Sequence, residues 1–157
     1  MVPTQQDSRL CPLLLLGLLG MVISLHAQPP NLTWARWFEI QHINTAKIQC
    51  DLAMQVVNSY RGVCKGKNTF LNTTFAQVAQ VCTTRNVSCR NGRMNCHKSP
   101  RPVPLTFCNL TKSNLNYMRC KYSQMKMQKI YTVACDQRSP QDNATDPLVP
   151  VHLDNII

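Results

Sequence analysis

The chain has 157 residues, 44% of them hydrophobic, with nine cysteines and a formal net charge of +10. The hydrophobic share excludes a disordered chain, and the length is normal for one domain. The charge asks for an anionic partner, such as nucleic acid, acidic glycan or an anionic membrane, without choosing among them.

Residues 1–27 read as a secretory signal peptide. Arg9 precedes an apolar run from Leu10 to Ile23, and Ala27 supplies the small residue at the cut. The run holds two glycines and a proline and is shorter than the roughly 20 residues of a membrane span. Cleavage after Ala27 removes Cys11, so eight cysteines remain in residues 28–157 and the odd count disappears. Asp7 and Arg9 leave together, so the charge stays +10. Eight cysteines in a secreted domain point to disulfides rather than a metal site. N-x-Ser/Thr sequons at Asn31, Asn72, Asn86, Asn109 and Asn143 agree with that compartment and predict a glycosylated surface.

Along the mature chain, Trp34, Trp37, Phe38 and Gln41 follow helical spacing from Thr33 to His42, with Asn31 or Thr33 as the cap. A second helix is expected after Asn44 and Thr45, carrying Ala53, Met54, Val56, Val57 and Tyr60 and stopping at Gly62. A third starts at Thr73 or Thr74 and places Phe75, Val78, Ala79 and Cys82 on one face. Beyond Cys82 the pattern turns to strands: Val103 to Leu110, Tyr117 to Tyr122, Lys129 to Cys135 and Leu148 to Leu153. Turn-rich pieces such as Asn91-Gly92 and Ser139 to Pro147 separate them. Helices followed by antiparallel strands make an α+β domain.

The mature chain has three histidines, His42, His97 and His152. His152 and Asp154 lie two apart in a strand and share a face, so the carboxylate can accept a ring N–H and orient the imidazole. Cys64-Lys65-Gly66-Lys67-Asn68-Thr69-Phe70 sets a lysine beside a probable bridge, followed by an amide and a hydroxyl; on its own it reads as a basic turn. His97 reads as a surface residue, and Trp34, Arg36 and Trp37 as an exposed aromatic and basic mixture. No GxSxG and no phosphate-binding glycine loop occurs, and paired carboxylates for a glycosidase are hard to build from so few acids. What remains is metal-free chemistry by histidines and cations on an anionic substrate, and phosphodiester transfer meets that description.

These residues together resemble the pancreatic-type ribonucleases (the ribonuclease A superfamily). The resemblance rests on Gln41-His42, on Cys64-Lys65-x-x-Asn68-Thr69-Phe70, on Val151-His152-Leu153-Asp154, on the order of the eight cysteines and on the loop Cys89 to Cys96. It covers residues 28–157. Thr33-Trp34-Ala35, Trp37-Phe38-Glu39, Gln41-His42-Ile43-Asn44, Val149 to Asp154 and Ile156-Ile157 are similar to the eosinophil branch, the group of eosinophil-derived neurotoxin and eosinophil cationic protein.

The resemblance implies three helices of the N-terminal half packed on an antiparallel, V-shaped sheet, with bridges Cys50–Cys108, Cys64–Cys120, Cys82–Cys135 and Cys89–Cys96. It implies cleavage of single-stranded RNA 3′ of pyrimidines with neither metal nor cofactor. His42 would be the base, His152 the acid and Lys65 the cation at the transition state. Gln41 and Asn68 would position the phosphate, Thr69 would read the base, Arg90 and Asn95 would serve the 3′ side, and Asp154 would support His152. Some members carry a phosphate-binding basic residue where Trp37 stands; Arg36 is the nearest replacement, and the change would lower activity on long RNA more than on dinucleotides. A secreted monomer, stored in cytoplasmic granules before release and acting in host defence, is the implied biology. The alternative is a cationic antimicrobial or chemoattractant protein that binds anionic membranes or glycosaminoglycans independently of catalysis.

Overall fold

The computed structural model describes residues 28–157. The signal-peptide reading of residues 1–27, Cys11 included, lies outside the described residues.

Helix α1 spans Trp34–His42, and Thr33 is its cap: the hydroxyl accepts a bond from the Arg36 N–H at 3.0 Å. Its two adjacent large side chains go to different places. Phe38 enters a cluster with Leu71, Val78, Leu105, Tyr131 and Val133. Trp37 enters a second with Ile48, Met54, Val57 and Phe70. Trp37 is 4% exposed, against the expected surface position. Neighbours on a helix project about 100° apart, so a helix lying between two clusters buries both. Trp34 remains outside, and Arg36 is paired with Glu39 at 2.8 Å.

Helix α2 spans Cys50–Arg61, starting later than the pattern after Asn44 suggested. The Asn44 side chain instead closes a turn by accepting from the Ala46 N–H at 3.0 Å. Gln49 supplies no side-chain cap; Gln124 accepts from the Cys50 N–H at 2.8 Å. Gly62, at φ 74°, ends the helix, as its freedom at positive φ allows. Strand β1, Lys67–Leu71, was read as a turn. Helix α3, Phe75–Val81, opens with a capping box in which Thr74 and Gln77 satisfy each other.

The remaining strands are β2 Cys96–Lys98, β3 Val103–Lys112, β4 Lys121–Lys129, β5 Tyr131–Gln137 and β6 Leu148–Ile156. The expected Tyr117–Tyr122 strand is a single 3-10 turn, Tyr117–Arg119, leading into β4. Asn116 favours that turn by accepting from the Met118 N–H at 3.0 Å. The expected Lys129–Cys135 run straddles the break between β4 and β5. The expected single sheet forms as two three-stranded antiparallel sheets, ordered β1-β3-β4 and β2-β5-β6. Helix α1 packs on both β1 and β6, so it joins the two.

The four bridges have the implied pairing: Cys50–Cys108, Cys64–Cys120, Cys82–Cys135 and Cys89–Cys96. Each is worth on the order of 2–4 kcal/mol in a small domain. His97 corrects another expectation. It is 3% exposed on β2, with Nδ1 2.8 Å from the Thr84 carbonyl, so a buried backbone acceptor explains its place. Among the sequons, Asn31, Asn72, Asn86 and Asn143 are exposed and Asn109 is half-buried.

Met54 is fully buried at the centre of the second cluster and far in the chain from the histidines. Met54→Ala should therefore cost about 2–5 kcal/mol, the usual range for a buried large-to-small change. Denaturant unfolding with the bridges intact measures it, and a loss below about 1 kcal/mol, well under that range, would contradict this packing.

Candidate active site

His42 ends α1, and its ring packs on Phe38 one turn earlier, with centroids 5.3 Å apart. Its Nδ1 lies 2.8 Å from the Thr69 carbonyl oxygen on β1. A carbonyl can only accept, so Nδ1 carries the proton and Nε2 keeps the lone pair. Burial, helped by the positive charges of Lys65 and His152, pushes the His42 pKa down to about 3, and the Thr69 carbonyl opposes part of that fall. The ring is therefore neutral, with its lone pair available at Nε2.

Lys65 follows Cys64, which is bridged to Cys120. Its Nζ donates to Gln41 Oε1 at 2.9 Å and to Asn68 Oδ1 at 2.8 Å. Asn68 in turn donates to the Gln41 carbonyl at 2.8 Å. An ammonium has three protons, so one remains for a ligand. Burial and the nearby Arg61 charge lower the Lys65 pKa to about 8, which leaves the group mainly charged at neutral pH. Gln41, Lys65 and Asn68 are thus one hydrogen-bonded group, and the His42–Thr69 pair adjoins it along the chain at both Gln41-His42 and Asn68-Thr69.

His152 stands on β6 with Nε2 3.7 Å from Asp154 Oδ1. That is an ion-pair distance and exceeds a hydrogen bond. The Asp154 carboxylate is nearly buried, and its other oxygen accepts from the Arg90 N–H at 3.0 Å. Burial lowers the His152 pKa; Asp154 raises it and Lys65 lowers it. Lys65 acts on both imidazoles, and His152 acts on His42, so the three groups share one electrostatic neighbourhood.

The expected 3′-side residues are less closely joined to this group. Arg90 contributes its backbone N–H to Asp154 and leaves its side chain exposed. The Asn95 amide donates to the Cys135 carbonyl at 3.3 Å and to Asp136 at 3.2 Å. Cys89, Cys96 and Asp154 bring potential metal-ligand atoms close together, but the two sulfurs are bonded to each other.

Three residues around the candidate site, Asn58, Tyr122 and Phe107, are given no role by the sequence pattern. Asn58, fully buried on α2, accepts from the Lys65 N–H at 2.9 Å and donates to the Tyr122 hydroxyl at 3.1 Å. Tyr122 donates to the Lys65 carbonyl at 2.6 Å. Both backbone groups of the lysine are therefore held from behind. The available signal was an asparagine one turn after Met54, at a core position of an amphipathic helix. Phe107 was also missed; it lies directly across from Thr69 and offers an apolar face beside it.

The depressed His42 pKa sets a stability dependence. Below about pH 6.5 an unfolded chain takes up a proton on this ring, whereas the folded ring resists until about pH 3. Its contribution to folding is complete above the unfolded value and is lost as pH falls through that window. Urea midpoints measured from neutral pH to about 4 should fall more steeply for the wild type than for His42→Asn; parallel curves would count against the neutral ring.

The arrangement offers a lone-pair imidazole, a second imidazole beside a carboxylate, and an ammonium with a free proton, which suits proton transfer around an anionic centre. The sequence pattern of the pancreatic ribonucleases matches residues 33–154, which include all of these groups. On that match the chain belongs to the pancreatic ribonuclease family, whose members act on RNA.

Proposed function

We propose that the protein is a secreted, metal-free endoribonuclease that cleaves single-stranded RNA on the 3′ side of pyrimidines. The observation that carries this reading is the His42 Nδ1 to Thr69 carbonyl contact, because it leaves the Nε2 lone pair free to take a proton beside Lys65. His42 Nε2 takes the proton of the ribose 2′-hydroxyl, and the 2′-oxygen forms a bond to phosphorus. The bond from phosphorus to the 5′-oxygen breaks as protonated His152 gives that oxygen a proton. The products are a 2′,3′-cyclic phosphate and a free 5′-hydroxyl. Water then opens the cyclic ester with the histidine roles exchanged.

Lys65 meets the negative charge that grows on the non-bridging oxygens, and a preorganised cation acts most strongly where charge develops. Gln41 and Asn68 hold that ammonium and help seat the phosphate. Thr69 reads the pyrimidine edge, with Phe107 across the sheet as its apolar neighbour. Asp154 keeps the His152 ring in the site. Arg90 and Asn95 serve the next base and phosphate. DNA lacks the attacking 2′-oxygen and is not a substrate.

Residues 1–27 as a signal peptide and the five sequons support a glycosylated secreted protein, and the similar stretches at both ends support the eosinophil branch with a host-defence role and granule storage. A second reading, action on anionic membranes or glycosaminoglycans without catalysis, is favoured by one observation. Leu52, Val56, Tyr60 and Val63 are exposed along one side of α2 and its end, with Met118 and Leu115 also exposed, on a strongly basic protein. Microbial killing that survives loss of either histidine would support it.

His42→Ala and His152→Ala should each lower RNA cleavage by about 10²–10⁴-fold, the range for an acid–base catalyst. Poly(U) and poly(C) should be cut, while poly(A) and single-stranded DNA should not, with a chelator present throughout. Full activity in either variant would overturn the mechanism. The pH profile follows from the two lowered pKa values. Neutral His42 sets the acid limb and protonated His152 the alkaline limb, so the kcat/KM bell lies on the acid side of the ordinary histidine value. The phosphodiester monoanion between the rings favours their charged forms, so both kcat limbs should lie at higher pH than those of kcat/KM.

A further inference from the structure

The register of the first sheet puts a sequon beside the base-reading position. Side chains alternate along a strand, so Lys67, Thr69 and Leu71 share one face of β1. Asn109, Phe107 and Leu105 stand directly across on β3, and Ser123, Met125 and Met127 continue the rows on β4. The inner row begins with Leu71 and Leu105, both buried in the main cluster, and is closed to a ligand. The middle row begins at Thr69. The outer row, Lys67–Asn109–Ser123, opens to solvent: Lys67 and Ser123 are exposed and Asn109 is half-buried. For an RNA chain whose base rests at Thr69, the outer row is the protein surface available for the neighbouring backbone.

Lys67 is the cation of that row, and it forms no ion pair among the described residues. Asn109 faces it and begins the sequon Asn109-Leu110-Thr111. The Asn109 carbonyl accepts from the Ser123 hydroxyl at 3.3 Å, whereas its side-chain amide has no hydrogen bond among the described residues. Directly opposed side chains in an antiparallel pair begin only about 4.5–5.5 Å apart. A sugar joined to the Asn109 amide therefore stands against the Lys67 side chain, between its ammonium and an approaching phosphate.

We propose that an N-glycan on Asn109 regulates the substrate length that this ribonuclease prefers. The glycan covers Lys67 and hinders an extended RNA, and it leaves a dinucleotide at Thr69 untouched. The proposal rests on the reading of Thr69 as the base contact. It does not involve the other sequons, since none of them lies in this cross-strand row.

The test uses the full chain expressed in a secreting eukaryotic cell, with occupancy of Asn109 read by mass spectrometry of its peptide. Asn109→Gln and Thr111→Ala remove the sequon through different residues, so agreement between them excludes a local folding effect. Each should raise kcat/KM on poly(U) about fivefold, the size of one solvent-facing ion contact, with cleavage of a uridylyl dinucleotide unchanged. In a Lys67→Gln background the gain should disappear, as expected if the glycan acts through that ammonium. The proposal is overturned by an unmodified Asn109, by parallel changes on polymer and dinucleotide, or by an equal gain without Lys67. Absence of dinucleotide cleavage in every form is a distinct result, because it removes the base-reading assignment itself.

Discussion

The site depends on one hydrogen bond between two elements far apart in the chain. His42 closes α1 and Thr69 lies in β1, and the 2.8 Å contact between the ring and the carbonyl fixes their relation. A typical hydrogen bond adds only about 1 kcal/mol net, so this one matters less for stability than for chemistry. It decides which nitrogen holds the proton. It also needs both partners placed within a few tenths of an ångström. Phe38 and Trp37 provide that placement by anchoring the helix into separate clusters, one of which contains Leu71 and the other Phe70. The same strand that accepts from the histidine is therefore gripped on both faces by the clusters that hold the helix.

The lysine is placed by a different method. Long flexible side chains lose about 2 kcal/mol of conformational entropy on fixing, and a buried ammonium disfavours its own charge. Here two amide oxygens fix the head, and Asn58 and Tyr122 fix the backbone at its root. Tyr122 is secured in turn by Asp51, whose carboxylate accepts from its N–H at 2.8 Å. The Cys64–Cys120 bridge attaches the preceding residue to the start of β4. A cation held at both ends can be partly desolvated and still point where charge will form, which is the condition for preorganised stabilisation.

Much of this was legible in residues, and the rest was not for definite reasons. Helix α1 is clear because Trp34, Trp37, Phe38 and Gln41 repeat at helical spacing after a capping Asn31 or Thr33; the burial of Trp37 is hidden because helical spacing cannot reveal two separate clusters. Helix α3 was clear from its capping residues. Strand β1 was obscured by its composition: Lys67-Asn68-Thr69 looks like a turn until packing on both faces is known. The single turn at Tyr117–Arg119 resembles a strand in sequence because Tyr117 and Tyr122 favour strands, while Asn116 acts locally in the other direction. His97 looked like a surface group because only the fold brings the Thr84 carbonyl to it. His42, Lys65 and His152 were recognisable through a family resemblance, whereas Asn58 and Phe107 act through register and helix phase, which spacing alone does not reveal.

The acidic residues explain how so basic a protein keeps its field available for a polyanion. Residues 28–157 contain six carboxylates, and most have assigned positions. Glu39 holds Arg36 on the exposed side of α1. Asp51 anchors the start of β4, Asp142 ties the 139–142 turn to the cap of α1 through Thr33, and Asp136 receives Asn95. Asp154 supports the small disulfide loop and faces His152. These carboxylates serve mainly as acceptors for N–H and hydroxyl groups, and three of them also stand near a cation, Glu39 by Arg36, Asp136 by Arg93 and Asp51 by Lys121. An acceptor bonded to backbone N–H holds the fold without needing a cation as its partner. Long-range attraction of RNA and the local order of the site then come from one distribution of charge: a few carboxylates bonded to the chain's own N–H and hydroxyl groups, and an excess of positive groups from which counterions can be released.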